Sequence, residues 1–191
     1  NGSAANTSYI FSIPEDITVP VVDGVAVFDN IEIYEGTLIN QNFTVNTSQF
    51  NQRYILSNSF IDTSTIRVKV KPDESSSSTV TYQQIDNIVG VTSTSSSYLL
   101  QEIEDERYEL IFGDNVIGKK LSNDNYITVS YIITSGKDGN GASEFSFIGN
   151  IIDQDGATID ASNFSLVTTE ESSRDGDEIE SISSIKYYAP R

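Results

Sequence analysis

Apolar side chains in this chain recur most clearly at every second position. In Ile66-Arg67-Val68-Lys69-Val70-Lys71, three β-branched residues alternate with three cations, which puts the apolar set on one side of a pleated strand and the charges on the other. The same period runs through Tyr108, Leu110 and Phe112 against Arg107 and Glu109, and through Ile127, Val129, Tyr131 and Ile133 against Thr128 and Ser130. These patterns predict antiparallel strands, each with one face on a core and the other in water. Further strands are expected over 9–13, 25–28, 31–34, 43–45, 80–83, 98–103, 144–148 and 163–167. Turn chemistry falls between them at Asp23-Gly24, Asp29-Asn30, Glu104-Asp105-Glu106, Asn123-Asp124-Asn125 and Asp155-Gly156. The polar runs Ser75 to Ser78 and Ser93 to Ser97 have no periodicity and are expected to be loop tips or short linkers.

One segment changes period. From about 178 to 189, Ile179, Ile182, Ile185 and Ala189 share one helical face, Asp177 and Glu180 have capping-box spacing, Lys186 lies in the last turn and Pro190 stops the run. The expected fold is therefore mainly β, with antiparallel strands and hairpins in sandwich- or barrel-like packing and one short C-terminal helix. A β domain is expected over 1–140, and a hairpin plus helix over 141–191, divided in the loop holding Gly136, Gly139 and Gly141. The chain starts at Asn1 without Met and stops just after the expected helix, so it is read as a fragment leading into a further region.

Composition agrees with the strand reading. Ile and Val number 38 against 14 for Leu and Ala together, and β-branched side chains suit a pleated surface better than a helix. Ser, Thr and Asn add 58 residues for turns and outward faces. Net charge is −17, which opposes binding to nucleic acid and to an anionic membrane surface. There is no positively charged start for a secretory signal, the first cation being Arg53, and no apolar run nears the roughly 18 residues of a membrane helix.

The chain has no Cys, His, Met or Trp, which removes disulfides, thiol nucleophiles, Cys or His zinc sites, the Ser-His-Asp triad and histidine bases. Any enzyme made from this chain would need carboxylates, Ser with Lys, or Tyr. Asp153-Gln154-Asp155-Gly156 with Asp160 has oxygen donors near calcium spacing, but lacks the third ligand position and distal Glu of an EF-hand, and Asp-Gly is foremost a turn. Glu102, Glu104, Asp105, Glu106 and Glu109 could supply a glycosidase pair, yet fall on an expected hairpin tip where acids are solvated. Gly136, Gly139 and Gly141 are followed by the strand-like alternation of Phe145 and Phe147, whereas a phosphate cradle opens a helix. Asn-x-Ser/Thr triplets, as at Asn6, Asn42, Asn46 and Asn163, are what a chain this rich in those residues produces by chance. No catalytic residue, metal or cofactor is assigned.

The stretch from Tyr98 to Tyr131, "YLLQEIEDERYELIFGDNVIGKKLSNDNYITVSY", resembles the baseplate wedge proteins of contractile-tailed bacteriophages, the baseplate J-like group. The match centres on Tyr108-Glu109-Leu110, Phe112-Gly113-Asp114-Asn115, Gly118 and the strand from Ile127 to Tyr131. "IYEGTLINQNFTVN" and "NQRYILSNSFIDTSTIRVKV" before it, and "EIESISSIKYYAPR" after it, resemble flanking parts of the same proteins. Asn115 stands where Gly is more usual, and Asn also tolerates positive φ. The resemblance implies a non-catalytic structural subunit of the virion tail baseplate. It would be assembled in the host cytoplasm, contact other wedge subunits, form a homo-oligomer within the assembly, and act in assembly and contraction. Candidate interface residues are Gly113, Asp114 and Asn115 in the expected tip, and Ile182, Ile185, Tyr187 and Tyr188 on the expected helix, where packing of the tyrosines onto their own domain is an equal alternative. A second reading stays open, an extracellular adhesin-like β module with a calcium loop at Asp153 to Asp160.

Overall fold

The long strand Ile61–Lys71 shows why this sequence builds a sheet: Ile66, Val68 and Val70 are buried while Arg67, Lys69 and Lys71 lie between them on the outer face. It is a central strand of a seven-stranded sheet formed by β1 (Thr37–Thr44), β2 (Tyr54–Ile55), β3 (Ile61–Lys71), β4 (Val80–Gln84), β5 (Ser97–Ile103), β6 (Arg107–Phe112) and β7 (Tyr126–Ile133), in the order β1-β7-β3-β4-β5-β6-β2. The computed structural model describes residues 2–4, 7–160 and 171–177. The fold is mainly β, as expected, and its main sheet curls into a nearly closed barrel. The expected helix over 178–189 and strand over 163–167 lie outside the described residues.

Five of the six ladders are antiparallel; β4 and β5 run parallel, with Gln83 opposite Ser97 and Gln84 opposite Tyr98. That one parallel pair departs from an all-antiparallel expectation. Hairpin chemistry predicts antiparallel neighbours, but the 85–96 loop is long enough to carry the chain back to the same end. Elsewhere the turns behave as read, with Glu104–Glu106 forming the β5–β6 tip and Asp105 and Glu106 at positive φ.

The two outer strands approach each other at a seam that lacks ladder hydrogen bonds. Gln41 of β1 crosses it: its Nε2 donates to Ile55 O (2.9 Å), and its Oε1 accepts from Ser57 N (3.0 Å) and Ser57 Oγ (3.0 Å). The Tyr131 hydroxyl, wholly buried, lies 3.0 Å from the same Oε1 and 2.7 Å from Asn58 Oδ1. Beside this polar stitch an edge-to-face ring series crosses the seam from Phe43 to Tyr54 (5.7 Å) and on to Phe112 (5.4 Å) and Tyr82 (5.6 Å). Closure hides the edges an open sheet would leave for unwanted pairing. The core lies inside the barrel, built from Leu56, Val68, Tyr98, Leu110, Ile127, Val129 and Tyr131 among others. Burial pushes the Tyr98 phenol up to about 12.

Alternation breaks once in β3. Thr65 and Ile66 are both buried, and the β3–β7 register jumps between Ser130 and Ile132. Thr65 fills the irregularity, its hydroxyl donating to Asp62 O (2.6 Å) and accepting from Ile132 N (3.0 Å). A β-branched hydroxyl residue thereby replaces a missing ladder bond in the core.

The barrel belongs to a unit spanning Ser12–Thr134; the second unit joins Asn1–Phe11 to Ser135–Arg191. Residues 1–11 go with the C-terminal unit, where Gly2–Ala4 pairs with both Glu144–Phe145 and Thr7–Tyr9. In that second unit Phe11 and Phe145 pack edge to face at 5.1 Å.

Candidate functional site

Two loops of the barrel unit meet at one end: the β6–β7 connection from Gly113 and the β4–β5 connection over 85–96. Gly118 N donates to Thr92 O (3.1 Å) and Lys119 N to Ser95 O (2.8 Å), joining them by main chain alone. Gly113 is required by close approach, since a Cβ there would stand 2.1 Å from the Gly118 carbonyl carbon. Asp114 Oδ1 accepts from Val116 N and Ile117 N, both at 2.9 Å, and these two bonds hold its carboxyl below the usual range. Asn115 adopts φ +73°, donates its N–H to Gly118 O (3.0 Å) and accepts Lys120 N on Oδ1 (3.0 Å). The departure from Gly at 115 is therefore accommodated, as the tolerance of Asn for positive φ predicts.

Gly113, Asp114 and Asn115 spend their hydrogen-bonding groups shaping this tip. What the tip presents is apolar: Val116 is 73% exposed and Ile117 40%, and in the partner loop Ile88 is 52% and Val89 87% exposed. Sequence reading picked out the three shape-giving residues and missed the presented ones, which read as ordinary hydrophobics until their burial is known. The other four candidates, Ile182, Ile185, Tyr187 and Tyr188, lie outside the described residues.

Three of the acidic candidates, Asp153, Glu109 and Asp105, are committed elsewhere. Asp153 Oδ1 accepts from Asp155 N and Ala157 N, both at 2.9 Å, inside a hairpin turn bounded by the Ile152–Thr158 bridge. Glu109 accepts a two-pronged bond from Arg53, with Nε to Oε1 at 2.9 Å, and Arg53 lowers its pKa. Asp105 pairs with Arg107 at 3.5 Å. Among the described residues no three acidic side chains gather as a metal site would require, and no helix is long and apolar enough to cross a membrane.

The Gly-rich segment is a clasp. Asn140 Nδ2 donates to Gly176 O (2.8 Å) and its Oδ1 accepts Gly176 N (3.0 Å), while Ser173 Oγ donates to Gly139 O (2.5 Å) and accepts Ala142 N (2.8 Å). The short run 171–177 thereby secures the turn at Gly136–Gly139 and buries Ala142.

No family model matches the chain, and no curated protein matches it.

Proposed function

We propose that this chain is a structural subunit of the baseplate wedge of a contractile phage tail, working by contact with neighbouring subunits during assembly and contraction. The observation that carries the reading is the end of the barrel. There Val89 and Val116 stand in solvent on two loops locked together by main-chain bonds. Apolar groups held on preformed backbone lose little freedom when a partner covers them, which is what a permanent structural contact needs. The stretch that resembles wedge proteins, Tyr98 to Tyr131, is the same stretch that forms β5, β6, the tip and β7. The partners on this reading are other wedge subunits and further copies of the chain, in the virion after assembly in the host cytoplasm.

Immuno-gold electron microscopy with antibodies to this chain, applied to fractionated particles and cells of the source culture, tests the proposal. Gold at the tail tip of contractile virions is the expected result. Gold on cell envelopes with bare tails would overturn it and favour the adhesin-like reading, which a calcium-dependent rise in melting temperature would then support.

A further inference from the structure

Between Ser12 and Gly36, within the barrel unit, the chain runs outside the seven-stranded sheet, the two ends of this excursion tied by Ser12 Oγ donating to Gly36 O (2.8 Å). At the far end Val21–Val22 pairs with Val25–Ala26 around Asp23-Gly24, whose φ values of 51° and 80° are those of a type I′ turn. The pairing places Val22 beside Val25 on one face and Val21 beside Ala26 on the other. Both faces are in solvent: Val21 is 68%, Val22 63%, Val25 59% and Val27 66% exposed. An isolated two-stranded ribbon is marginal in water, and apolar side chains on both of its faces give it nothing to gain from remaining there.

Charge identifies what would cover it. Glu15, Asp16, Asp23, Asp29 and Glu32 are exposed along this excursion, and no Lys or Arg occurs before Arg53. Among the described residues, Arg67 of β3 is the cation paired with the segment, 3.5 Å from Glu15. A second copy would bring the same acids to the same rim, and an anionic lipid surface would repel them.

We propose that the Val21–Ala26 hairpin inserts into an apolar groove of a different protein whose rim carries Lys or Arg. The inference rests on reading the chain as an assembly component, and adds which surface docks and the chemistry of the surface that receives it.

The test places the photo-crosslinking residue p-benzoylphenylalanine at Val22 of the full-length protein, in the cells that make it, and maps the crosslinked peptide by mass spectrometry. The expected product joins Val22 to another protein at an apolar site flanked by Lys or Arg. Its yield should fall at least tenfold in V25D and survive in V25I. Because Val25 is outside the core, V25D should keep the wild-type near-ultraviolet circular dichroism. Asp23→Lys with Asp29→Lys should slow formation of the product by about tenfold at low salt. No product at Val22, a product with a second copy, a product with lipid alone, or a product at an acidic site each overturns the inference. The baseplate reading fails separately: a Val22 product of the expected kind from a chain absent from tails would keep the docking surface and remove its proposed setting. Gold-labelled tails without a Val22 product would do the reverse.

Discussion

Gly113 lacks a side chain because the backbone of Gly118 passes where one would be, with 2.1 Å from a built Cβ to the Gly118 carbonyl carbon. Gly113→Ala must push the two strands of the tip apart, and overpacking of this kind costs about 1–3 kcal/mol. Urea denaturation should show that loss, whereas Val116→Ser, at a side chain 73% exposed, should leave the midpoint where it is while weakening assembly. A wild-type midpoint for Gly113→Ala would mean the tip is looser than its hydrogen bonds describe. Glu109 makes a second prediction through pH. The Arg53 guanidinium lowers its carboxyl below 4.5, so the folded state holds that proton less tightly than the unfolded state does. Its contribution to stability is present above about pH 4.5 and is lost as pH falls through the lowered folded value. Melting curves of wild type and Glu109→Gln should therefore differ most near neutrality and converge in acid, and parallel curves at every pH would refute the assignment.

At the scale of elements, the seam between β1 and β2 rests on Gln41. Gln41→Leu would remove the acceptor of Ser57 N and one of the two oxygens beside the buried Tyr131 hydroxyl, at a cost of about 1–3 kcal/mol for groups left unpaired. Hydrogen exchange should report the change first at Ile55 to Ser57 and across β1, with β3 and β7 protected as before; uniform loss of protection would show that the seam is not a separate weak point. The same strand marks how far sequence reading reaches. Ile66, Val68 and Val70 were legible because each residue's environment follows from its own alternation, and the β5–β6 hairpin because its turn is local. Of β1 only Phe43 and Thr44 fall within an expected strand, 43–45, since Asn40, Gln41 and Asn42 dilute its pattern. The inward role of Gln41 depends on Ile55 and Ser57, which closure alone brings near. Thr65 in the β3 irregularity and the parallel β4–β5 ladder are likewise products of distant pairing. In the site, sequence reading found the tip through its turn residues, but 25–28 read as one more strand beside the Asp23-Gly24 turn, because period and hydrophobicity do not say whether a partner is present.

For the whole molecule, the ends of the barrel unit are the informative feature. Ser12 Oγ donates to Gly36 O at 2.8 Å, and Thr134 Oγ1 donates to Glu35 Oε2 at 2.8 Å, so both ends of Ser12–Thr134 are fastened to adjacent residues of one segment. Neighbouring termini with a core enclosed between them are the usual anatomy of a unit that folds alone. A chain of residues 12–134 should therefore give one cooperative thermal transition and retain the barrel's tyrosine environment. That environment is measurable, because burial raises the phenols of Tyr54, Tyr82, Tyr108 and Tyr131 and pushes Tyr98 up to about 12. A raised folded pKa means the folded state keeps its proton longer than the unfolded chain, whose tyrosines ionise near 10. The stability from these buried phenols is therefore complete below about pH 10 and is lost as pH climbs through their raised folded values, about 12 for Tyr98. Absorbance at the tyrosinate band should show the core set ionising together with unfolding, above the pH of unfolded tyrosine, for the excised unit as for the intact chain. A single ionisation near pH 10 in the excised unit would show that the barrel does not close without the rest of the protein.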